Sequence, residues 1–332
     1  METNTKKRML SGIKPTGRLT LGNYIGAIKQ FITYQEEYEM FVFIADFHSL
    51  TLPIDPKELR QNTKDLISIY LACVLDPDKV VLFKQSDVHE HAELGYIMAC
   101  NSNMGELSRM TQYKDKTAKL SSNESIPTGI YIYPTLMAAD IVLYDPDYIP
   151  VGIDQKQHVE LTRDLAIRFN SRYSDTFKVV EPVTAKTGAK INSLANPEKK
   201  MSKSESDKGT IYLLEDLAIT RKKIMSAVTD SDTRIIFDME NKPGISNLLT
   251  IMSALSNESI EDIANRYDGQ GYGTFKKAVA DVVCAELEQL QKKVKEIQAS
   301  GIIDKVLEDG ANKASYYARK KLAKVYKKVG LR

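Results

Sequence analysis

The stretch SGIKPTGRLTLGNYIGAI, residues 11–28, runs from a strand through a turn of Gly, Pro and Thr into a helix that opens at Gly22 and Asn23. The strand itself is the short apolar segment RMLSGI (8–13). Glycines let a ligand approach the backbone closely, and the free N–H groups of a helix N-terminus attract phosphate. The stretch therefore predicts the nucleotide edge of an α/β fold, although the turn alone fits an ordinary strand-to-helix connection equally well.

The first half of the chain alternates apolar strands with amphipathic helices. Further strands are predicted at 41–46, 80–86 and 148–152, and helices at 22–37, 55–75 and 154–169. The runs FVFIAD and VVLFKQS are almost continuously apolar, which is typical of strands buried on both faces of a parallel sheet. We predict an α/β fold with a doubly wound, Rossmann-like parallel sheet, and such sheets bind ligands at the carboxyl ends of their strands.

The second half of the chain has helical periodicity with few strand candidates. Helices are predicted at 213–228, 245–255, 259–267, 273–299 and 302–328. We predict a catalytic domain at 1–205, a mostly helical domain at 206–300 and a basic C-terminal helix at 301–332. The Lys- and Ser-rich stretch 198–208 joins the first two domains.

The composition is that of an ordinary soluble globular chain. Apolar residues make up 42% of the 332 residues, and the net charge is +2, which neither demands nor forbids a nucleic-acid partner. Cys73, Cys100 and Cys284 have no metal-ligand spacing and lie in apolar helical stretches. Free thiols of this kind fit the reducing cytoplasm. No signal peptide and no membrane-spanning run is expected.

Two further segments carry chemical information. KKMSKS (199–204) places three lysines and two serines in a polar loop, which can follow the charge that develops on a phosphate leaving group. A solvated charged linker is the alternative. Asp140 lies inside the apolar helical segment LMAADIVLY (136–144). A buried carboxylate needs a hydrogen-bond donor, so Asp140 is either a substrate acceptor or a core residue paired within the protein.

Taken together, these segments resemble the class I aminoacyl-tRNA synthetases, and within them the bacterial tryptophanyl type. TLGN (20–23) matches the TxGN form of the first class I signature, and KMSKS (200–204) matches the second letter for letter. MGELSRMTQYKDK, LMAADIVLY and DQKQHVELTRDLA resemble the tryptophanyl enzymes in particular. The resemblance covers almost the whole chain, with its segments in the right order.

The resemblance implies ATP and Mg²⁺ as cofactors, L-tryptophan and tRNA as substrates, a homodimer, and neither a membrane nor a DNA partner. It assigns anticodon binding to the helical domain. The catalytic residues it implies are Thr20, Asn23, Lys200 and Lys203. The nucleotide contacts it implies are Lys14, Pro15, Thr16, Gly22, Asn23, Lys116, Gly152, Ile153, Asp154, Ile191, Lys200, Met201, Ser202, Lys203 and Ser204. The amino-acid contacts it implies are Asp140, Met137, Tyr133, Gln155, His48 and Gln112.

Two positions depart from the family pattern. Lys14 stands where the turn usually carries Gln, and it places a permanent cation near the phosphates. Ile153 stands where an acidic residue is common, which weakens a ribose or metal-linked water contact. Both changes lie at the nucleotide edge and leave the amino-acid pocket untouched.

Other readings of the sequence have weaker support. A dinucleotide-dependent oxidoreductase needs G-x-G-x-x-G after the first strand, and GIKPTGRLTLG does not fit. A non-catalytic RNA-binding paralogue would tolerate decay of KMSKS, which is intact. His89 and His91 are two residues apart and should diverge, so they do not predict a metal site. Tyrosyl-tRNA synthetase remains the nearest rival.

Overall fold

The structure is a computed structural model that describes residues 6–73, 75–118, 125–152, 155–180, 183–184, 189–202 and 207–332. Its strands are β1 (Arg8–Ile13), β2 (Glu39–Ile44), β3 (Val80–Lys84), β4 (Pro150–Val151) and β5 (Val183–Thr184). The helices of the first half are α1 (Leu21–Asn23), α2 (Gln30–Glu37), α3 (Pro56–Cys73), α4 (Glu90–Asn101), α5 (Met104–Ser108), α6 (Thr111–Thr117), α7 (Thr128–Val142) and α8 (Lys156–Arg172). Those of the second half are α9 (Leu217–Met225), α10 (Pro243–Ser256), α11 (Ile260–Tyr267), α12 (Gly271–Ser300) and α13 (Ile302–Val329).

The strands form a parallel, doubly wound sheet, as predicted. β2 pairs with β1 on one side and with β3 on the other, and β4 pairs with β5. A parallel bridge between Met9 and Tyr148 joins the two groups, and the Leu10 N–H donates to the Tyr148 carbonyl at 3.0 Å. The spatial order is therefore β3-β2-β1-β4-β5. The winding direction reverses between β1 and β4, and ligands of such sheets bind at that reversal.

Both faces of the sheet are buried. Along β2, Met40, Val42 and Ile44 belong to one apolar cluster, while Phe41 and Phe43 belong to another. The first cluster includes side chains of α2 and α3, and the second includes side chains of α4, α7 and α8. This explains why the strand sequence is apolar at every position rather than at every second one.

The helix predicted at 22–37 is present, but it is not α-helical throughout. The segment Tyr24–Ile28 is a π-helix between α1 and α2, and the Lys29 N–H donates to the Tyr24 carbonyl at 3.1 Å, five residues back. Two contacts with the second half fix this segment: the Tyr24 hydroxyl donates to Glu286, and Lys29 Nζ donates to the Ala254 carbonyl at 3.0 Å. A spacing pattern does not reveal one extra residue per turn, because the apolar side chains still fall on one face.

The predicted helices of the second half agree with α9 to α13. Side chains of α10 and α12 share an apolar cluster with β1 and β2, and the domain boundaries at 205 and 300 stay a prediction. The C-terminal helix α13 returns to the sheet and lies directly on β3. A Cβ at Gly310 would stand 1.8 Å from the Leu82 carbonyl oxygen, so only glycine permits this approach. Within the described residues, no helix is long and apolar enough to cross a membrane.

Candidate active site

A cavity of about 360 Å³ opens where the winding of the sheet reverses. Lys14 follows β1 directly, Gly152 follows β4 directly, and both line the cavity. The structure thus places the cavity at the carboxyl ends of the strands, as expected for this sheet. The six predicted amino-acid contacts all line it as well, namely Asp140, Met137, Tyr133, Gln155, His48 and Gln112.

On the β1 side, the cavity wall consists of the backbone at Gly12 and the aromatic ring of Phe43. Gly12 lines it, and a Cβ there would lie 2.5 Å from the Phe43 ring. Because residue 12 is a glycine, the Phe43 ring can pack against the backbone at the end of β1. Leu10, Ile141 and Ile149 add apolar surface, so the cavity suits an apolar, ring-sized ligand with few polar groups.

Among the described residues that line this cavity, Asp140 is the one carboxylate, and it is fully buried. Its Oδ1 accepts from Gln85 Nε2 at 2.7 Å and from His91 Nδ1 at 2.6 Å, and its Oδ2 accepts from His48 Nε2 at 2.8 Å. Burial raises the pKa of this carboxyl, but the hydrogen bonds from the two histidines outweigh it and hold the pKa at about 2. Asp140 is therefore an ionised acceptor at neutral pH.

A chain of hydrogen bonds runs from Asp140 through His91 to Tyr144. Because a carboxylate only accepts, His91 Nδ1 carries the hydrogen, and His91 Nε2 faces the Tyr144 hydroxyl at 2.7 Å. The His91 ring packs at centroid distances of 5.7 Å from Phe43 and 6.0 Å from Phe83. Gln85, His91 and Tyr144 are all fully buried. The carboxylate thus has a fixed orientation.

Sequence reasoning missed these three partners of the Asp140 site. Two signals were present: Gln85 directly follows β3 at the carboxyl edge, and His91 opens an apolar helix. Neither signal identifies the contact, since 55 residues separate Gln85 from Asp140 and 49 separate His91 from it.

Tyr133 and Met137 occupy successive turns of α7 ahead of Asp140. The Tyr133 hydroxyl and His158 Nε2 lie 2.7 Å apart, and burial raises the pKa of Tyr133 to about 12. Met137 precedes Asp140 by three residues and faces the same cavity. A ring bound at Asp140 would therefore contact the flexible thioether of Met137.

The first signature forms a helix cap. Thr20 Oγ1 accepts from the Asn23 N–H at 3.2 Å, and Asn23 Oδ1 accepts from the Thr20 N–H at 3.1 Å. Thr20 is 1% exposed, so its hydroxyl faces the protein. The two residues hold the N-terminus of α1, and their catalytic role stays a prediction.

The second signature lies against the first. A Cβ at Gly22 would stand 3.4 Å from Met201 Cβ, and the Met201 N–H donates to the Ile191 carbonyl at 2.9 Å. Lys200 is exposed, and the Ser202 carbonyl accepts from Thr210 Oγ1 at 3.1 Å. The predicted contacts Ile153, Asp154, Lys203 and Ser204, and the side chain of Lys116, lie outside the described residues.

The turn after β1 forms the remaining part of the predicted nucleotide edge. Lys14 and Pro15 line a second, smaller cavity of about 50 Å³ beside Arg18. The Thr16 N–H donates to the Lys14 carbonyl at 2.9 Å, which closes the turn. Lys14, which stands where the family usually has Gln, lines both cavities.

Comparison with known proteins identifies the family. The family model described as tRNA synthetases class I (W and Y) matches residues 1–288. The chain belongs to this family. It is 51% identical over 329 residues to the tryptophan–tRNA ligase of Malacoplasma penetrans, with 98% of each chain covered. The fold matches the tryptophanyl-tRNA synthetase of Mycoplasma pneumoniae with a TM-score of 0.86, at 41% identity and with 99% of each chain covered.

A second solved relative bears on the cavity. The tryptophanyl-tRNA synthetase of Campylobacter jejuni, complexed with ADP and tryptophan, matches with a TM-score of 0.86 and 37% identity over 98% of this chain and 100% of that one. The fold of the chain is thus that of a class I tRNA synthetase.

A buried ion pair supports the second signature of this class I synthetase. Lys223 Nζ donates to Glu215 at 2.6 Å and to the Thr210 carbonyl at 2.8 Å. The Thr220 hydroxyl donates to the other Glu215 oxygen at 2.9 Å. Lys223 and Glu215 are 8% and 6% exposed. Because the Thr210 hydroxyl also donates to the Ser202 carbonyl, this pair helps to fix Thr210 and, through it, Ser202 of the second signature.

The histidines of 87–91 diverge in the synthetase, as the sequence predicted. The His89 side chain is 66% exposed and lies near Glu90 and Glu93, whereas His91 is buried against Asp140. No three His, Cys, Asp or Glu side chains gather as a metal cluster in the described part of the chain.

Proposed function

We propose that this synthetase is a tryptophan–tRNA ligase. It activates L-tryptophan with ATP to give tryptophanyl-adenylate and pyrophosphate, and then transfers the tryptophan to its tRNA. The observation that carries this proposal is the buried, ionised Asp140 at one side of an otherwise largely apolar cavity. Indole has a single polar group, an N–H that only donates, so a carboxylate is its complement.

The hydrogen-bond count of Asp140 supports this assignment. A carboxylate has about four lone-pair sites, and Asp140 uses two on Oδ1 and one on Oδ2. One site on Oδ2 is left for an indole N–H. Met137 supplies the contact with the ring, and Tyr133 and Gln155 are proposed to bind the amino group. The solved Campylobacter jejuni relative contains tryptophan, which supports the same choice.

The nucleotide is proposed to bind across the first and second signatures. Lys14 provides positive charge at the cavity, and the N-terminus of α1, which lies against Met201, is proposed to provide N–H groups for the phosphates, with Ile191 beside the adenine. The ADP in the same relative supports this placement. Mg²⁺ is proposed to bind with the phosphate oxygens of ATP, because this ion usually reaches a protein together with substrate phosphates rather than in an all-protein cage.

The reaction itself needs little acid–base chemistry. A tryptophan carboxylate oxygen attacks the α-phosphorus in line, the bond to the β-phosphate oxygen breaks, and pyrophosphate leaves with its electron pair. A ribose hydroxyl of the terminal adenosine of tRNA then attacks the tryptophan carbonyl carbon and releases AMP. Positioning and charge stabilisation account for most of the rate, with Asn23, Lys200 and Lys203 near the phosphates. Thr20 contributes by capping α1.

We expect tryptophan to drive ATP–pyrophosphate exchange and tyrosine to fail. The experiment measures exchange with each amino acid separately and with none. Tyrosine has a hydroxyl that could donate to Asp140, so the shape of the cavity must exclude it. Exchange that responds to tyrosine and not to tryptophan would favour the rival assignment, tyrosyl-tRNA synthetase, on the same fold.

A homodimer is proposed from an exposed apolar face. It contains Leu50, Tyr96, Met104 and Ile132, which are 61%, 73%, 74% and 43% exposed. The elements that carry them are neighbours, because the Tyr131 hydroxyl donates to the Met104 carbonyl and Gly95 lies against Leu136. Single exposed apolar residues are ordinary, but a contiguous group of this kind marks an interaction site.

The wild-type chain should sediment as a dimer at micromolar concentration. The double substitution Tyr96→Glu and Met104→Glu buries two uncompensated charges in the interface, so we expect it to raise the dimer dissociation constant at least about 100-fold. Ile219→Glu, at a residue of α9 that is 50% exposed, is the control and should remain dimeric. A fully active wild-type monomer would contradict the dimer, and a dimeric double variant would move the interface to another face.

The helical domain at 206–300 is proposed to bind the anticodon.

A further inference from the structure

The outer face of α13 carries a row of lysines, and the nearest acidic residue on the same stripe is Asp309, four residues before Lys313. Residues 310–332 contain eight basic and no acidic side chains, and without them the chain would have 38 basic against 44 acidic residues. Lys313, Lys320, Lys324 and Lys327 are all exposed. At 100° per residue they fall on one stripe about 21 Å long. We call these four residues the lysine row.

The acidic groups that face α13 are engaged by its other side chains. Glu90 accepts from Arg319 Nε at 3.1 Å, Asp145 accepts from Lys321 at 2.6 Å, and Glu93 accepts from the Tyr326 hydroxyl. Among the described residues, no carboxylate forms an ion pair with the lysine row. From Lys320 to Lys327 the row is therefore a strip of positive charge, because these carboxylates bind other side chains and Asp309 lies near Lys313 only.

The helix holds this strip in place. Its inner side chains Ala314, Ala318, Leu322 and Val325 are buried in the cluster that contains Phe83, and Gly310 lies on the backbone of β3. Because the apolar face is already buried, α13 has none to insert into a lipid surface. Tyr316, which is 66% exposed, lies within the stripe between Lys313 and Lys320 and offers a ring to an unpaired base or a sugar.

We infer that the lysine row is a contact surface for the phosphate backbone of tRNA. Over about 21 Å, one strand of a duplex carries about six phosphates, so four lysines on a straight helix can meet several of them at once. Contacts of this type set position and affinity but carry no sequence information. The inference rests on the proposed function for the identity of the RNA and names a surface distinct from the cavity.

The test replaces three lysines of the row by glutamine, as Lys320→Gln, Lys324→Gln and Lys327→Gln together. We expect kcat/KM for tRNA in aminoacylation to fall on the order of tenfold or more at low salt, because three phosphate contacts are lost. The slope of log Kd for tRNA against log salt concentration should become shallower by about three. Tryptophan-dependent ATP–pyrophosphate exchange, which needs no tRNA, should not change.

A matched triple variant on α3, Lys57→Gln, Arg60→Gln and Lys64→Gln, removes the same charge from exposed residues outside the lysine row and outside the domain proposed to bind the anticodon. Equal loss in both triple variants would show a general charge effect and overturn the inference, as would unchanged tRNA kinetics in the α13 variant. Binding to vesicles of anionic lipid that the α13 variant loses, with tRNA binding intact, would also overturn it. Absence of exchange in the wild-type chain would refute the proposed function instead, while direct tRNA binding would still test the row.

Discussion

Replacing Asp140 by alanine should lower kcat/KM for tryptophan activation by about 30- to 1,000-fold, which corresponds to about 2–4 kcal/mol. The variant loses the acceptor for the indole N–H in a fully buried position, where water cannot replace it. The Kd for ATP should change little, because the side chains that bond to Asp140 are His48, Gln85 and His91 and none of them is a predicted nucleotide contact. Both quantities are measurable by exchange kinetics and by equilibrium titration with ATP.

Three side chains donate hydrogen bonds to Asp140, so its replacement should affect the stability of the fold as well as tryptophan binding. In the alanine variant, Gln85 and His91 keep buried donors without an acceptor, so the free energy of unfolding should also fall, by about 1–3 kcal/mol per orphaned group. Urea unfolding measures this loss separately. Tyr144→Phe is the matched control, since it removes the far end of the chain of hydrogen bonds and leaves the Asp140 contacts intact. Unchanged tryptophan use in the alanine variant would make Asp140 a core residue only.

Replacing Lys203 by alanine should lower kcat of tryptophan activation about 100-fold, or by about 3 kcal/mol, with little change in KM for tryptophan. The ammonium group is expected to act on charge that appears on the phosphates only in the transition state. Single-turnover formation of the adenylate measures this step directly.

Lys208→Ala is the control for Lys203. It removes the same charge from an exposed residue five positions along the chain, after the predicted phosphate loop. The Lys223–Glu215 pair and Thr210 lie beyond both positions and are intact in both variants. If the two variants lose activity equally, the loss comes from overall charge near the site. If neither loses activity, Lys203 does not stabilise the transition state.

Elements with a strong local pattern were predictable from the sequence. The apolar runs of β2 and β3 gave the buried sheet, and Asp140 in an apolar helix marked a site because its burial demands partners. β5 was not predicted, because two residues, Val183 and Thr184, are too few to show a period. The π-helix Tyr24–Ile28 was missed because contacts with Glu286 and Ala254 fix it, and these lie more than 220 residues away.

The site shows the same division. The six predicted amino-acid contacts line one cavity because the segments that carry them were recognised together. The residues that orient Asp140 were not found, since Gln85, His91 and Tyr144 meet only when β3, α4 and α7 pack. Phe43 and Gly12, which shape the wall, looked like any residues of buried strands. A local pattern indicates what a side chain needs, and the tertiary packing decides which residue supplies it.

The return of α13 to the sheet also sets the order in which the nascent chain can complete its core. Side chains of residues 314–325 pack with Phe41 and Phe83, which leave the ribosome more than 230 residues earlier. At about 5–20 residues per second, that interval is on the order of tens of seconds. During it, one face of the strands lacks its last covering helix, and the synthetase cannot assume its final packing before α13 has left the ribosome.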